Sequence, residues 1–239
     1  MEPKVANLKV KLFADGADLP TMFAMSKSEH IRGLTTNPTL MRKAGVLDYR
    51  EFAGKVLKEI KELPISFEVF SDDLDDMKRQ ALEIASWGEN VYVKIPVTTS
   101  EGKTTKKVIN YLANQQVKLN ITAVMTNSQV DEIVGCLNSS VPSYISIFAG
   151  RISDTGRDPI PTMQKALVQM SSNSKSELIW ASPRELLNVF QADSIGCHII
   201  TATSDILNKL DLVGKDLTDY SLDTVKMFKN DSVASGFVI

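Results

Sequence analysis

Apolar residues along the chain follow two rhythms in turn. Short runs rich in β-branched and aromatic residues occur at KVKLFAD (9–15), IRGLTTN (31–37), ISFEVF (65–70), NVYVKIPV (90–97), KLNITAV (118–124), YISIFAG (144–150), ELIWAS (177–182) and CHIITAT (197–203). They read as strands. Between them apolar residues recur at helical spacing, as in Tyr49, Phe52, Ala53, Val56, Leu57 and Ile60, or Met77, Ala81, Leu82, Ile84 and Ala85. Several of these segments open on helix N-cap chemistry, such as the Ser71-Asp72-Asp73 cluster and Ser204-Asp205. Eight such units in 239 residues leave roughly 30 residues each, the pattern of βαβ crossovers, and predict an α/β fold with a parallel sheet closed into a (β/α)8 TIM barrel. No Pro/Gly/Ser-rich linker or shift of composition divides residues 1–239, so a single domain is expected, with the residues beyond about 216 forming an extra C-terminal helix and tail.

Alternation within each strand sorts its residues into two rows. Strand four gives Val91, Val93, Ile95 and Val97 on one row and Tyr92, Lys94 and Pro96 on the other. The all-apolar row should meet the helices, which leaves Lys94 pointing into the barrel. The same sorting sets Ser66, Glu68 and Phe70 against Ile65, Phe67 and Val69, and Asn120 and Thr122 against Leu119 and Ile121. It sets Ser146 and Phe148 against Ile145 and Ile147, Phe13 and Asp15 against Leu12 and Ala14, and Trp180 and Ser182 against Ile179 and Ala181. Barrel interiors are ordinarily filled with branched apolar side chains, and a buried unpaired charge is costly. A Lys, a Glu and an Asp converging toward the C-terminal ends of several strands therefore point to an active site, which barrels build at that end.

A lysine withdrawn from water becomes a nucleophile toward carbonyls, and Lys94 is the candidate Schiff-base former. Such chemistry also needs a carboxyl to move protons during carbinolamine dehydration and an acid/base at the carbon–carbon bond being broken. Glu68 and Asp15 are available for these tasks. Asn37, Asn120, Thr122 and Ser146 offer amides and hydroxyls for a substrate's hydroxyl groups, and Arg151, Ser182 and Arg184 could clamp a phosphate at the mouth. The substrate inferred is a phosphorylated keto-sugar.

Composition removes other classes. Lys and Arg number 27 against 29 Asp and Glu, a net charge of −2, so no nucleic-acid partner is expected. Neither a secretory leader nor a run of about 18 apolar residues is present in the sequence, so no membrane span and a cytoplasmic location are expected. Cys136 and Cys197 read as buried thiols of that reducing compartment. Gly102-Lys103-Thr104 lacks the first glycine of a phosphate-binding loop, and the Asp72, Asp73, Asp75, Asp76 cluster lacks the glycine and terminal Glu of a calcium loop. With only His30 and His198, far apart, no metal site is expected.

The segments ADGAD (14–18), TTNPTL (35–40), FEV (67–69), YVKIPVT (92–98), LNITAV (119–124), FAGRISD (148–154) and ASPR (181–184) together resemble the transaldolase family of class I, Schiff-base enzymes. The likeness spans nearly the full chain and lies with the short branch that also contains the fructose-6-phosphate aldolases. It implies transfer of a three-carbon dihydroxyacetone unit from a ketose phosphate, such as fructose 6-phosphate or sedoheptulose 7-phosphate, to an aldose phosphate. It further implies Lys94 as the Schiff-base lysine, Asp15 as the acid/base at the C4 hydroxyl, and Asn37, Asn120 and Ser146 as contacts to the three-carbon unit. Arg151, Ser182 and Arg184 match the phosphate site, and no cofactor is implied, because Lys94 supplies the electron sink. Glu68 and Thr122 match the pair that positions a catalytic water in transaldolase proper, whereas aldolase-like members tend to carry Gln at the former position and Tyr where this chain has Phe148. Both differences favour group transfer over one alternative, an aldolase releasing free dihydroxyacetone, and the intact set of Lys94, Glu68, Asp15 and Thr122 argues against the other, a non-catalytic sugar-phosphate-binding barrel. Departures from the family pattern are Pro183 and the loop SDTGRDPIP (153–161), which is expected to bring Arg157 near the phosphate. Short relatives commonly form rings with apolar tails crossing between subunits, so a homo-oligomer is expected, with Gly236-Phe237-Val238-Ile239 as the crossing tail.

Overall fold

The computed structural model describes residues 4–236. Eight strands, β1 Lys11–Asp15, β2 Ile31–Thr35, β3 Ile65–Glu68, β4 Val91–Pro96, β5 Leu119–Val124, β6 Ser143–Ile147, β7 Ser176–Trp180 and β8 Ile199–Ala202, pair in chain order, and β8 returns to β1. All pairs are parallel, so the sheet is the closed (β/α)8 barrel that the sequence predicts. The crossovers carry α1 Leu19–Ser26, α2 Pro38–Lys43, α3 Tyr49–Glu59, α4 Leu74–Ala85, α5 Lys106–Asn114, α6 Asn127–Val134, α7 Ala149–Asp154, α8 Ile160–Met170 and α9 Leu187–Ser194, and α10 Ser204–Leu207 and α11 Leu217–Ser235 follow β8.

Short polar side chains start many of these helices by accepting hydrogen bonds from backbone N–H groups that have no partner within the helix, at about 1 kcal/mol each. Asp18 accepts from Thr21 N at 3.0 Å and Asp48 from Glu51 N at 2.8 Å. Asp73 accepts from both Asp75 N and Asp76 N, so the acidic cluster of residues 72–76 includes a helix cap. Thr126 and Gln129 form a reciprocal capping box on α6. The Ser204-Asp205 pair departs from expectation: α10 begins at Ser204, and the cap position falls on Thr203.

The buried side chains form two layers. Outward-facing Leu12, Ile65, Phe67, Val93, Ile95, Ile121, Ile147 and Trp180 join the apolar faces of the helices in one large core. Inside the barrel a smaller cluster holds Phe13, Tyr92, Tyr144, Ile179, Ala181 and Ile199. Gly33 makes room for it, since a Cβ there would lie 2.5 Å from the Phe13 ring. Strand seven is the reverse of the sequence reading: Ile179 and Ala181 face the interior, and Trp180 faces the helices. Both rows of β7 mix a polar residue with large apolar ones, Ser176 with Leu178 and Trp180 and Glu177 with Ile179, so only Ser182 suggested which faced inward. Ser182 lies past the strand in the left-handed region (φ 59°), where the two-residue alternation no longer holds.

Both cysteines are free and buried, and burial pushes the Cys197 thiol up to about 12. The expected C-terminal helix is present as α11, none of whose residues is buried; Phe228 is 62% and Val233 74% exposed. Phe237, Val238 and Ile239 of the expected crossing tail lie outside the described residues. Among the described residues no helix is long and apolar enough to cross a membrane.

Candidate active site

The inner row of side chains turns polar toward the C-terminal ends of the strands. There it lines a cavity of about 440 Å³ that brings together Lys94, Asp15, Glu68, Thr122, Asn37, Asn120, Ser146, Phe148, Arg151, Ser182 and Arg184, all the sequence candidates except Arg157.

Lys94 is 6% exposed, and it faces Glu68 across the β3–β4 register. Its Nζ lies 3.0 Å from Glu68 Oε2 and donates to the Thr36 carbonyl at 2.8 Å. The lysine is withdrawn from water, and its nearest neighbours are a carboxylate and a carbonyl, which compensate the ammonium for the lost hydration. Tyr49 from α3 fixes the backbone of Glu68, its hydroxyl accepting from Glu68 N at 2.8 Å and donating to Glu68 O at 3.0 Å.

Asp15, at the end of β1, accepts from the Thr35 hydroxyl at 2.8 Å on Oδ1, while Asn37 Nδ2 stands 3.4 Å from Oδ2. Burial raises its carboxyl above the usual range, against the opposing pull of the Lys94 charge and the Thr35 hydrogen bond. Asn37 is the N-cap of α2; its Oδ1 accepts from Leu40 N at 3.0 Å, which turns its amide nitrogen toward the cavity. Asn120 is wholly buried, donating to Ser66 Oγ at 2.9 Å and accepting from Ser146 Oγ at 2.7 Å. Thr122 Oγ1 is buried and finds no hydrogen-bond partner among the described residues. It sits where the β5–β6 register slips between Ile121 and Val124, beside Ala123 at φ 60°.

Cations gather on one side of the mouth. Arg184 forks onto Asp154, with Nε donating at 2.8 Å to Oδ1 and Nη2 donating to Oδ2, and its Nη1 donates to Ser182 Oγ at 3.1 Å. The Arg184 guanidinium holds the Asp154 carboxyl below the usual range. Arg151 lies in the first turn of α7 with its Cζ 5.9 Å from the centre of the Phe148 ring. Gly150 permits this meeting of α7 and the β7 loop, since a Cβ there would lie 1.6 Å from the Ser182 carbonyl oxygen. Arg157 does not take part: it is exposed, donates to Thr155 Oγ1 at 2.8 Å, and does not line the cavity. The expectation that its loop would supply another cation is corrected, because the turn at Gly156 (φ 76°) leaves the side chain bonded to its own loop.

Among the lining residues that sequence reading missed are the polar Thr35, Thr39, Lys43 and Thr201. The signal for Thr201 was available, since alternation places it two residues beyond the inward Ile199. Lys43 carried none, because a basic residue in the last turn of a helix is ordinary complement to the helix dipole.

A family profile described as "Transaldolase/Fructose-6-phosphate aldolase" matches residues 12–237. The chain belongs to this family. The family member is 32% identical over 234 residues to a "Probable transaldolase" of Thermoanaerobacter sp. (strain X514), covering 96% of this chain and 100% of the relative. It is 34% identical to another "Probable transaldolase" from Sulfurihydrogenibium sp. (strain YO3AOP1), covering 90% of this chain and 94% of the relative. A dihydrodipicolinate synthase from Rhodopseudomonas palustris superimposes with a TM-score of 0.57 at 14% identity, covering 93% of this chain and 81% of that one, a likeness of fold alone.

Proposed function

We propose that this member of the transaldolase/fructose-6-phosphate aldolase family is a transaldolase that carries a dihydroxyacetone unit from a ketose phosphate to an aldose phosphate on Lys94. The observation that carries the reading is the Lys94–Glu68 pair, with Nζ and Oε2 3.0 Å apart at the cavity floor. Glu68 is the base that takes the ammonium's proton, freeing the amine to attack the ketose C2 carbonyl. The same carboxyl then returns a proton to the carbinolamine oxygen, which leaves as water. Thr122, whose hydroxyl finds no partner among the described residues, is the group that holds such a water beside Glu68.

With the iminium formed, Asp15 removes the C4 hydroxyl proton; the C3–C4 bond breaks, the aldose phosphate departs, and the electron pair rests in the enamine. A second aldose phosphate then accepts C3, and Asp15 returns its proton to the new alkoxide. Burial, which raises the Asp15 carboxyl, suits a group that must keep a proton between the two half-reactions. Arg151, Arg184 and Ser182 hold the phosphate, and Asn37, Asn120 and Ser146 hold the hydroxyls of the retained unit. Phe148 offers no hydroxyl with which to protonate the enamine, which favours transfer over release of dihydroxyacetone.

The chain is further read as one cytoplasmic barrel domain that forms homo-oligomers, as the uncovered Leu222, Val225 and Phe228 of α11 support. Light scattering should give a multiple of the 26.4 kDa chain mass. The decisive experiment on the chemistry is borohydride reduction in the presence of fructose 6-phosphate, followed by peptide mapping. A three- or six-carbon adduct on Lys94, absent from Lys94→Met, is expected. No adduct with any ketose phosphate, alongside measurable binding, would leave a non-catalytic sugar-phosphate barrel instead.

A further inference from the structure

We propose that Thr201 is a positioning residue that acts through Thr35 to assign the substrate's proton to one particular oxygen of Asp15. The inference rests on the acid/base role given to Asp15 above. Thr201 lies on β8, beside β1 in the closed barrel, and is 5% exposed. Its Oγ1 stands 2.5 Å from Thr35 Oγ1, which stands 2.8 Å from Asp15 Oδ1. Each hydroxyl has one hydrogen, and an ionised carboxylate only accepts. The Thr35 hydrogen therefore goes to Asp15, and the Thr201 hydrogen has to go to Thr35.

The chain runs in a single direction, from Thr201 through Thr35 to Oδ1, and each bond in such a chain polarises the next. Oδ1 is thereby occupied. Among the described residues Oδ2 has the Asn37 amide alone, at 3.4 Å, which leaves it open to substrate. In the cleavage step the substrate O–H bond breaks and the proton lands on Oδ2. The O–H electron pair becomes the second bond of the departing aldehyde, while the C–C pair passes to the iminium. In the addition step the same proton returns from Oδ2 to the new hydroxyl. The charged groups that also face Asp15 are Lys94 and Glu68, and Arg184 and Asp205 line a neighbouring cavity with Asp15 and Thr201. All of them stay in place when Thr201 is changed.

The test compares pH profiles of kcat for the full-length wild type, Thr201→Val and Thr201→Ser, with Thr201→Ala as a second deletion of the hydroxyl should the valine variant fold poorly. Valine keeps the shape and removes the hydroxyl; serine does the reverse. Loss of the hydroxyl is expected to lower kcat roughly two- to fivefold near neutral pH and move the acid limb up by about half a pH unit, with donor KM unchanged. Serine should restore the wild-type acid limb. A valine or alanine variant with the wild-type limb and rate would overturn the inference, as would equal impairment of the serine and valine variants, which would mark a packing role. Borohydride trapping on the same samples separates the two levels of argument. A wild type without a Lys94 adduct sinks the reading of the site, whereas normal trapping with an unmoved acid limb sinks only the role of Thr201.

Discussion

Gly150→Ala tests how tightly the end of the site proposed to hold phosphate is built. The added Cβ would lie 1.6 Å from the Ser182 carbonyl oxygen and 2.7 Å from its carbonyl carbon, where real Cβ contacts almost never fall under 3.0 Å. The two backbones must separate by at least 3.0 minus 1.6, or 1.4 Å. Neither side yields by rotating a side chain, because both obstacles are main chain. Overpacking of this kind costs about 3 kcal/mol, and alanine returns about 1 kcal/mol through its better helix propensity in α7, for a net loss of about 2 kcal/mol. For a chain of this size that is a fall in Tm of roughly 4–8 °C. The displaced segment carries Ser182 and leads to Arg184, so the KM for a phosphorylated ketose should rise about tenfold, equivalent to ~1.4 kcal/mol of lost phosphate contact. Trapping of unphosphorylated dihydroxyacetone on Lys94 should be unaffected, since the cavity floor is built by other strands. Scanning calorimetry and initial-rate kinetics provide the two readings. Wild-type Tm and KM in the alanine variant would refute the claim that this close approach sets the phosphate site.

Asp15→Asn should be more stable than wild type at pH 7 and nearly inactive. Because burial raises this carboxyl, the folded chain binds its proton more tightly than the unfolded one; the stabilisation is complete below the unfolded pKa and is lost as pH rises through the folded value. The amide removes that cost at neutral pH, raising Tm by a few degrees while kcat falls about 10²–10⁴-fold, and a lowered Tm at pH 7 would contradict the sign. Phe148→Tyr should increase fructose 6-phosphate consumption without an aldehyde acceptor by about tenfold relative to transfer; an unchanged ratio would show that the ring does not protect the enamine. Gln116 sits exposed at φ 62° just after α5, so Gln116→Gly should add about 0.5–1 kcal/mol in urea titration and leave kcat alone.

Most of the barrel was legible because its strands announce themselves twice, by alternation and by position between helical segments. Lys94 was the clearest site residue, since a charge in the middle of VYVKIP has an apolar row on its other side that fixes where it points. The reading failed where that contrast vanished. β7 has apolar residues on both rows, and a left-handed turn at Ser182 stands where the next alternating residue was assumed. The end of β6 was misjudged for a related reason, as Phe148-Ala149-Gly150 has strand-like composition yet enters α7. For Lys94, alternation brought Glu68 into the same chamber but not the contacts themselves. Its contact with Glu68 follows from register, and its contact with the Thr36 carbonyl is made by backbone, which side-chain patterns do not report. Thr35 and Thr201 show the same limit: each is ordinary alone, and their meaning lies in the hydroxyls touching across 166 positions of sequence.

The aromatic layer inside the barrel has a consequence for traffic. Phe13, Tyr92 and Tyr144 each precede a cavity residue by two positions on a parallel strand, so they lie directly beneath the chamber. Tyr92 stacks on Tyr144 with ring centres 4.1 Å apart, Phe13 meets Tyr144 edge-on at 5.8 Å, and the gap at Gly33 is filled by the Phe13 ring. These packed rings close the chamber on the side away from the C-terminal ends of the strands. If the chain works as the transaldolase proposed above, the departing and the arriving aldose share the mouth at the strand ends, and a sugar that lingers at that threshold bars its successor.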